Sequence, residues 1–491
     1  MAAKYVRAPL ALTALATALF LWHPSLRSQA LPLAIERVVT SDGSVFVLLP
    51  RKTRGLTYWA EWTRMGRKHE SETQAGLAEA TAIASLAGTT THGTSAPEAE
   101  AELLMQLDAA LQALRSAELF GGSDGDIAAL RATYNDIDAA CRNLSDRFAF
   151  RRLVTSIPAR PLRVTPGIDG YLIESAFDAE RFDDFAVLMS SRRRDAVLRG
   201  YHEILDDVRA RYRRDADTPG ASHLRALALT ALEVDPLRRV LIAPSEKAPP
   251  IPRNDALDFY RRHHAPNRTT TVIVGDIDVA RTKLLLSKVY ASASASTSLP
   301  PNDILEPPQN GPRTKVLVST EPRLVWGWRP PDDARQDALE VLATWLQRRL
   351  EREFVRERDL AKSVTVHARF PGGGPPAPFV IELEANSHFD FRKLEVAARA
   401  AFESLERDGA SGDELRREAA NVQTQVLELW ENPTELAATL ARIVGRSSNR
   451  SMPPTEHTLE AAFELSKLVF AEARRTTVTT RPPADNQEAQ K

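Results

Sequence analysis

In the stretch GLAEATAIASLAGTT, residues 76–90, a single carboxylate, Glu79, sits among small and apolar residues. A carboxylate inside a helix binds a metal or moves a proton only with further groups, and residues one turn away share its face. At the next-turn positions stand Ala82 and Ile83, which supply neither. A second set of chemistry-bearing side chains is His202, Glu203 and Asp206, with His202 and Asp206 at i and i+4 and His223 nearby in sequence. Their types and spacing suit a metal cluster, but the exposed face of a charged helix explains them better. His263-His264 precede Ala-Pro-Asn and read as structural. Cys141 is the only cysteine, so an internal disulfide is excluded. It reads as a small buried helix residue without a catalytic partner.

The whole chain sets further bounds. With 491 residues, two or more domains are expected. Hydrophobic residues make up 43% and charged residues 26%, an ordinary globular balance. A formal net charge of -1 argues against nucleic acid or an anionic membrane as partner. The basic runs Arg192-Arg193-Arg194 and Arg348-Arg349 alternate with acids at helical spacing and read as solvated faces.

At the N-terminus, Lys4 and Arg7 precede the apolar run Pro9 to Trp22, and Ser28-Gln29-Ala30 follows. This is the pattern of a secretory signal peptide cleaved after Ala30. An uncleaved anchor is the alternative, although the run is shorter than the roughly 20 residues of a membrane span. The expected location is the periplasm, with no membrane contact after cleavage.

Several elements can be placed by pattern. IERVVTSDGSVFVLL is a hairpin around Asp42-Gly43. LTYWAEWTRMG is a third strand, and Ser71-Glu72-Thr73-Gln74 has the capping-box pattern before the helix of Glu79. The region from Pro97 to about Arg152 is helical by leucine spacing. YLIESAF is a strand, and charged helices run from Ala179 to about Arg214. The segment 291–312 is rich in serine and proline and reads as a linker. Beyond it the order of strands and helices repeats in outline. PGGGPPAP, Pro371 to Pro378, reads as a flexible hairpin tip, with substrate contact as the other reading.

With these segments placed, the chain resembles the insulinase-like (pitrilysin) metallopeptidase family. The likeness is carried by MGRKHESETQAGLAEATAIASLAGT, DALDFYRRHHAPNRTTTVIVGDID, RRLEREFVRERDLAKSV and GASGDELRREAANV, in that order. It implies an α+β fold: two homologous α/β-roll domains with mainly antiparallel sheets flanked by helices, together forming one half of a clam shell. The implied organisation is a signal peptide (1–30), an N-terminal domain (31–290), a linker (291–312), a C-terminal domain (313–480) and a disordered tail (481–491).

Active members carry H-x-x-E-H on a helix, where both histidines bind zinc and the glutamate activates water. The resemblance places Glu79 at the first histidine, Ala82 at the catalytic glutamate and Ile83 at the second histidine. On HEILDDVRAR, Glu203 falls on the first acid of the distant pair and Ala210 on the zinc-binding one. No zinc is therefore expected in this chain. Some family members work in pairs, one chain with the motif and one without, which implies a motif-bearing partner that holds the zinc. Such motif-less chains carry an arginine and a tyrosine in the second domain. Arg356 matches the arginine, while Lys362 stands at the tyrosine position. Arg356 could grip a peptide carbonyl or form a surface ion pair.

The implied function is a noncatalytic subunit of an exported peptidase that handles peptides or unfolded segments. The alternatives are a non-proteolytic binding module of the cell envelope and a peptidase with a displaced metal site.

Overall fold

The computed structural model describes residues 35–246, 248–291, 306–331, 334–373, 377–446 and 456–483. The expected signal peptide, most of the expected linker and residues 484–491 lie outside them.

The first part of the chain runs β1 (Glu36–Val39), β2 (Val45–Pro50), β3 (Leu56–Thr63), α1 (Leu77–Ala84), α2 (Pro97–Phe120), α3 (Asp124–Leu144), α4 (Ala149–Ser156), β4 (Pro158–Pro166) and β5 (Tyr171–Asp178). It continues with α5 (Phe182–Asp195), α6 (Tyr201–Ala216), α7 (Ala221–Ala231), α8 (Arg253–His263), β6 (Thr269–Gly275) and α9 (Val279–Val289). Its sheet has the order β1-β2-β6-β3-β5-β4, with β2 and β6 parallel and the other neighbours antiparallel. The β1–β2 hairpin forms around Asp42-Gly43, where Gly43 has φ 92° and the Asp42 carboxylate accepts from Thr40 and Ser44. β4 has no counterpart among the strands expected from the sequence. Its prolines hide it, and they are tolerated because β4 is an outer strand.

The second part runs β7 (Arg313–Val318), β8 (Arg323–Trp328), α10 (Gln336–Leu350) leading into a π-helical stretch (Glu351–Glu357), β9 (Ala361–His367) and β10 (Phe379–Ala385). Then come α11 (His388–Asp408), α12 (Gly412–Glu431), α13 (Pro433–Arg446), α14 (Glu456–Val469) and β11 (Arg475–Arg481). The order is β7-β11-β8-β10-β9, with only β7 and β11 parallel. The architecture is α+β with two mixed, mainly antiparallel sheets.

Strand alternation gives each sheet two apolar faces. In the first, Phe46, Leu48, Trp59, Ile173, Phe177 and Ile273 pack with Leu77 of α1, Phe185 and Met189 of α5 and Leu205 of α6. The opposite residues, Val47, Leu49, Tyr58, Trp62, Val272 and Val274, meet Leu436, Leu440 and Ala441 of α13. In the second sheet, Leu324, Trp326, Trp328, Phe379 and Ile381 lie under α10, α11 and α14. Val325, Val380 and Val478 on the reverse face meet Leu227 of α7. Each half thus lends a helix to the other half's sheet, so the halves share two apolar interfaces as well as a chain connection. A Cβ on Gly445 of α13 would fall inside contact distance of the Trp62 ring, so only glycine permits this approach.

Candidate functional site

Glu79 faces α6 from the first turn of α1. Its carboxylate accepts a hydrogen bond from Tyr212 Oη at 3.0 Å and forms an ion pair with Arg211. Only 4% of Glu79 is exposed, whereas the Arg211 side chain is 39% exposed at the rim of the contact. The Arg67 guanidinium lies 3.7 Å from the centroid of the Tyr212 ring. Burial, reinforced by the nearby Glu70 charge, pushes the Tyr212 phenol well above its usual range, so it remains a proton donor to Glu79.

The start of α1 differs from the capping box expected at residues 71–74. The helix is preceded by Gly76 at φ 93°, and the cap is the Glu70 side chain, which accepts from the backbone N–H of Gly76 (3.1 Å) and of Ala78 (2.8 Å). Burial pushes the Glu70 carboxyl up to about 7, against the pull of the two N–H groups and Arg67. A Cβ at Gly76 would meet Leu205 and Arg209 of α6 at 3.2 and 3.3 Å, and its positive φ would be strained besides. The glycine therefore sets how closely α1 and α6 approach. The helix is also shorter than the stretch of small residues suggested, ending at Ala84.

These residues do not fit a zinc ion. A protein zinc site needs at least three ligands. Here the single carboxylate is already matched by a guanidinium and a phenol, and a cation beside Arg211 would be repelled. Ala82 is fully buried and Ile83 packs against the same core. Ala210 lies half-buried on α6, and the side chains that reach Glu79 are those of its two successors, Arg211 and Tyr212. Among the described residues no group of three or more His, Cys, Asp or Glu side chains is placed to hold a metal.

The second candidate cluster is dispersed. His202 bonds Asp108 at 2.9 Å, Glu203 pairs with Arg147, and Asp206 pairs with Arg115 at 3.1 Å. His223 is fully buried and bonds Thr480 Oγ1 of the second half at 2.9 Å. α6 turns His202 and Asp206 toward α2 and Glu203 toward the approach to α4, while His223, on α7, faces β11. Cys141 is buried between α2 and α3, and burial pushes its thiol up, away from reactivity. Residues 121–125 have the Gly-x-Ser-x-Gly spacing, but they form the turn between α2 and α3, where Ser123 caps α3 by accepting from Asp126 N. A nucleophile elbow needs a strand before the serine.

Arg356 is exposed at the end of the π-helical stretch. Lys362, on β9, pairs with Glu384 of β10 at 3.0 Å while 71% of its side chain stays exposed. The loop expected to be a flexible tip is anchored where it is described. Phe370 and Ala377 are buried with Leu237 and Val240 of the first half, and a Cβ on Gly372 would touch Ile168 at 3.0 Å. Apolar burial between the halves overrides its glycine- and proline-rich composition.

Sequence reasoning missed a buried ionic cluster. Arg192 and Arg193, read as solvated, are fully and almost fully buried and both pair with Glu61 of β3, the Arg193 contact measuring 2.8 Å. Only Arg194, at 53% side-chain exposure, behaves as expected. Burial pushes the Glu61 carboxyl up, but Arg192, Arg193 and His264 outweigh it and hold the group well below the usual range. His264 stacks on Tyr260 at 4.4 Å, and burial lowers it to about 4, so the ring is neutral. The available signal was Glu61 itself, an acid inside an otherwise apolar strand pattern. Such an acid must find cations.

Known proteins bear on this geometry. Residues 250–422 match the family model described as the peptidase M16 inactive domain, from the approach to α8 into α12. A protease from Helicobacter pylori superposes with a TM-score of 0.71 at 16% identity, covering 91% of this chain and 99% of its own. Over residues 250–422 the chain is thus similar to the inactive domain of the insulinase-like M16 peptidases, and its fold is that of the matched M16 structures. The periplasmic protease PqqL from Escherichia coli gives a TM-score of 0.63 at 12% identity, covering 92% of this chain but 48% of PqqL. A peptidase M16 inactive domain from Pseudomonas fluorescens gives 0.59 at 14% identity, with 92% and 98% covered. At these identities the superpositions establish the fold. No curated protein sequence matches this chain.

Proposed function

We propose that this protein is the noncatalytic subunit of an exported M16-type peptidase, pairing with a chain that carries H-x-x-E-H to enclose peptides or unfolded segments. The observation that carries the reading is the engagement of Glu79 by Arg211 and Tyr212. The position that would hold the first zinc ligand is committed to packing, while the rest of the two-sheet scaffold is kept. The chain spans 48% of PqqL, so a protein of that kind is about twice as long, and a second chain would supply the other part. Zinc would then reside in the partner. Export to the periplasm is supported by the N-terminal pattern of Lys4, Arg7 and the apolar run.

The test is a native pull-down of the tagged mature chain from its own host with mass spectrometry of the associated proteins. Near-stoichiometric recovery of an H-x-x-E-H relative is expected. Recovery of the chain alone, or with unrelated envelope proteins, favours the binding-module reading instead.

A further inference from the structure

The two sheets share one plan. The orders β2-β6-β3-β5-β4 and β7-β11-β8-β10-β9 both begin with a parallel pair and continue with antiparallel pairs. The first sheet has one strand more, because β1 lies outside β2 and runs antiparallel to it. Among the described residues, no strand takes that place outside β7. The segment leading into β7 is tied elsewhere, at the start of β11 and the end of β8. There Gln309 donates to Arg475 O at 3.0 Å, and Arg329 donates to Glu306 O at 2.8 Å.

The other three sheet edges are protected. β4 carries Pro158, Pro161 and Pro166, which lack an N–H. β9 is closed by a side chain: Gln347 of α10 donates to Val364 O at 2.8 Å and accepts from Val366 N at 2.7 Å, as a neighbouring backbone would. β1 has only four residues and begins with the charged pair Glu36-Arg37. β7 has none of these devices. Its orientation follows from Ser319, whose N–H donates to Arg481 O at 3.0 Å and so faces β11. The two-residue period then turns the N–H and C=O groups of Thr314, Val316 and Val318 outward. Leu317 packs toward α7, so these three side chains lie on the opposite face, where Val316 and Val318 are 52% and 60% exposed. An open apolar edge of this kind is a template for another strand.

We propose that β7 pairs antiparallel with β7 of a second copy of this chain, about a two-fold axis at Val316, joining two sheets into one. The precedent of β1 sets the antiparallel direction, and β7 meets that demand against itself. With the axis at Val316, Thr314 stands opposite Val318 of the second copy, and the outward backbone groups of all three residues are paired. Lys315 stands opposite Leu317, so no like charges meet across the axis. The Arg313 guanidinium is already engaged by Thr230 O and Ala231 O at 3.1 Å each. The tail 484–491, ADNQEAQK, has no apolar side chain larger than alanine to cover the two valines. This contact does not rest on the proposed pairing with a motif-bearing chain.

The test is sedimentation equilibrium of the full mature chain, alone, over a range of concentrations. A reversible monomer–dimer equilibrium is expected. Val316→Lys sets two like charges opposite each other on the axis and should weaken dimerisation by about tenfold or more. Leu284→Lys, at an exposed apolar side chain of α9, should leave it unchanged. Val316→Cys brings two thiols to the roughly 5.5 Å Cα separation of a hydrogen-bonded pair, within disulfide range. Oxidation should cross-link that variant into a dimer that reductant releases, while the wild type, with only the buried Cys141, forms none. A wild type that stays monomeric up to roughly 0.1 mM, a dimer weakened equally by both lysine variants, or a Val316→Cys chain that forms no disulfide overturns the proposal. Dimerisation that appears only after removal of residues 484–491 also overturns it, since the tail then holds the edge.

Discussion

Arg211 reaches from α6 to Glu79 on α1, so a guanidinium already occupies the carboxylate that the resemblance sets at the first zinc-ligand position. The cation is part of the chain, and it costs the site both its open coordination position and its attraction for a second cation. Removing the acid should therefore be felt as lost structure. Glu79→Ala leaves the Tyr212 hydroxyl without its acceptor and should destabilise the fold by about 1–3 kcal/mol. Arg211→Ala should cost less, because that side chain is 39% exposed and screened by solvent. Urea unfolding of both variants checks the order, and an equal loss would contradict it.

The Glu61 cluster predicts a larger effect. Glu61→Gln leaves Arg192 and Arg193 buried without their shared counter-charge. The expected loss is about 3–5 kcal/mol, the range for breaking a buried ion pair from one side. Denaturation midpoints would show it, and a change below about 1 kcal/mol would mean that the arginines find water or another acceptor.

Acid should weaken the fold through three histidines. Burial lowers His69 to about 3 and His263 and His264 to about 4, against 6.5 for the unfolded group. Their contribution is complete above about pH 6.5 and is lost as pH falls toward 4, because the unfolded chain binds the protons. The urea midpoint of the wild type should fall steeply between pH 6.5 and 4. His264→Phe should make that fall shallower, provided that the neighbouring Glu61 pairs survive.

Glu70 has the opposite sign. Its carboxyl is raised from 4.5 to about 7, so its contribution is complete below about 4.5 and lost as pH rises through 7. Glu70→Gln cannot titrate. Relative to the wild type, its melting temperature should improve between pH 5 and pH 8. A constant difference across that range would show that the helix N–H groups hold the carboxylate ionised throughout.

The exchanged helices predict cooperative unfolding of the two halves. Gly445→Ala drives a methyl group into the Trp62 ring and should cost about 1–3 kcal/mol. Leu227→Ala, on the reciprocal helix, should cost about 2–5 kcal/mol. If the halves unfold as one unit, both variants shift a single calorimetric transition. Two separated transitions, each moved by only one variant, would contradict the shared interfaces.

Much of this protein was legible in the residues themselves. Period-2 alternation and an Asp-Gly turn specify β1 to β3, and apolar periodicity specifies the helices that cover them. The resemblance sets Glu79, Ala82 and Ile83 at the zinc-motif positions without coordinates, and the side chains of alanine and isoleucine offer a metal no ligand atom. Tertiary structure alone decided what Glu79 engages. Arg211 and Tyr212 lie more than 130 positions beyond Glu79 in the chain, and only the close approach of α1 to α6 at Gly76 brings them together. The same reason separates the rest. A run of three arginines reads as solvated until a buried Glu61 claims two of them. β4 and β11 count as strands only because neighbouring strands satisfy their backbone groups. Local pattern reports which face of an element is apolar, but it carries no record of the distant residue against which that face is packed.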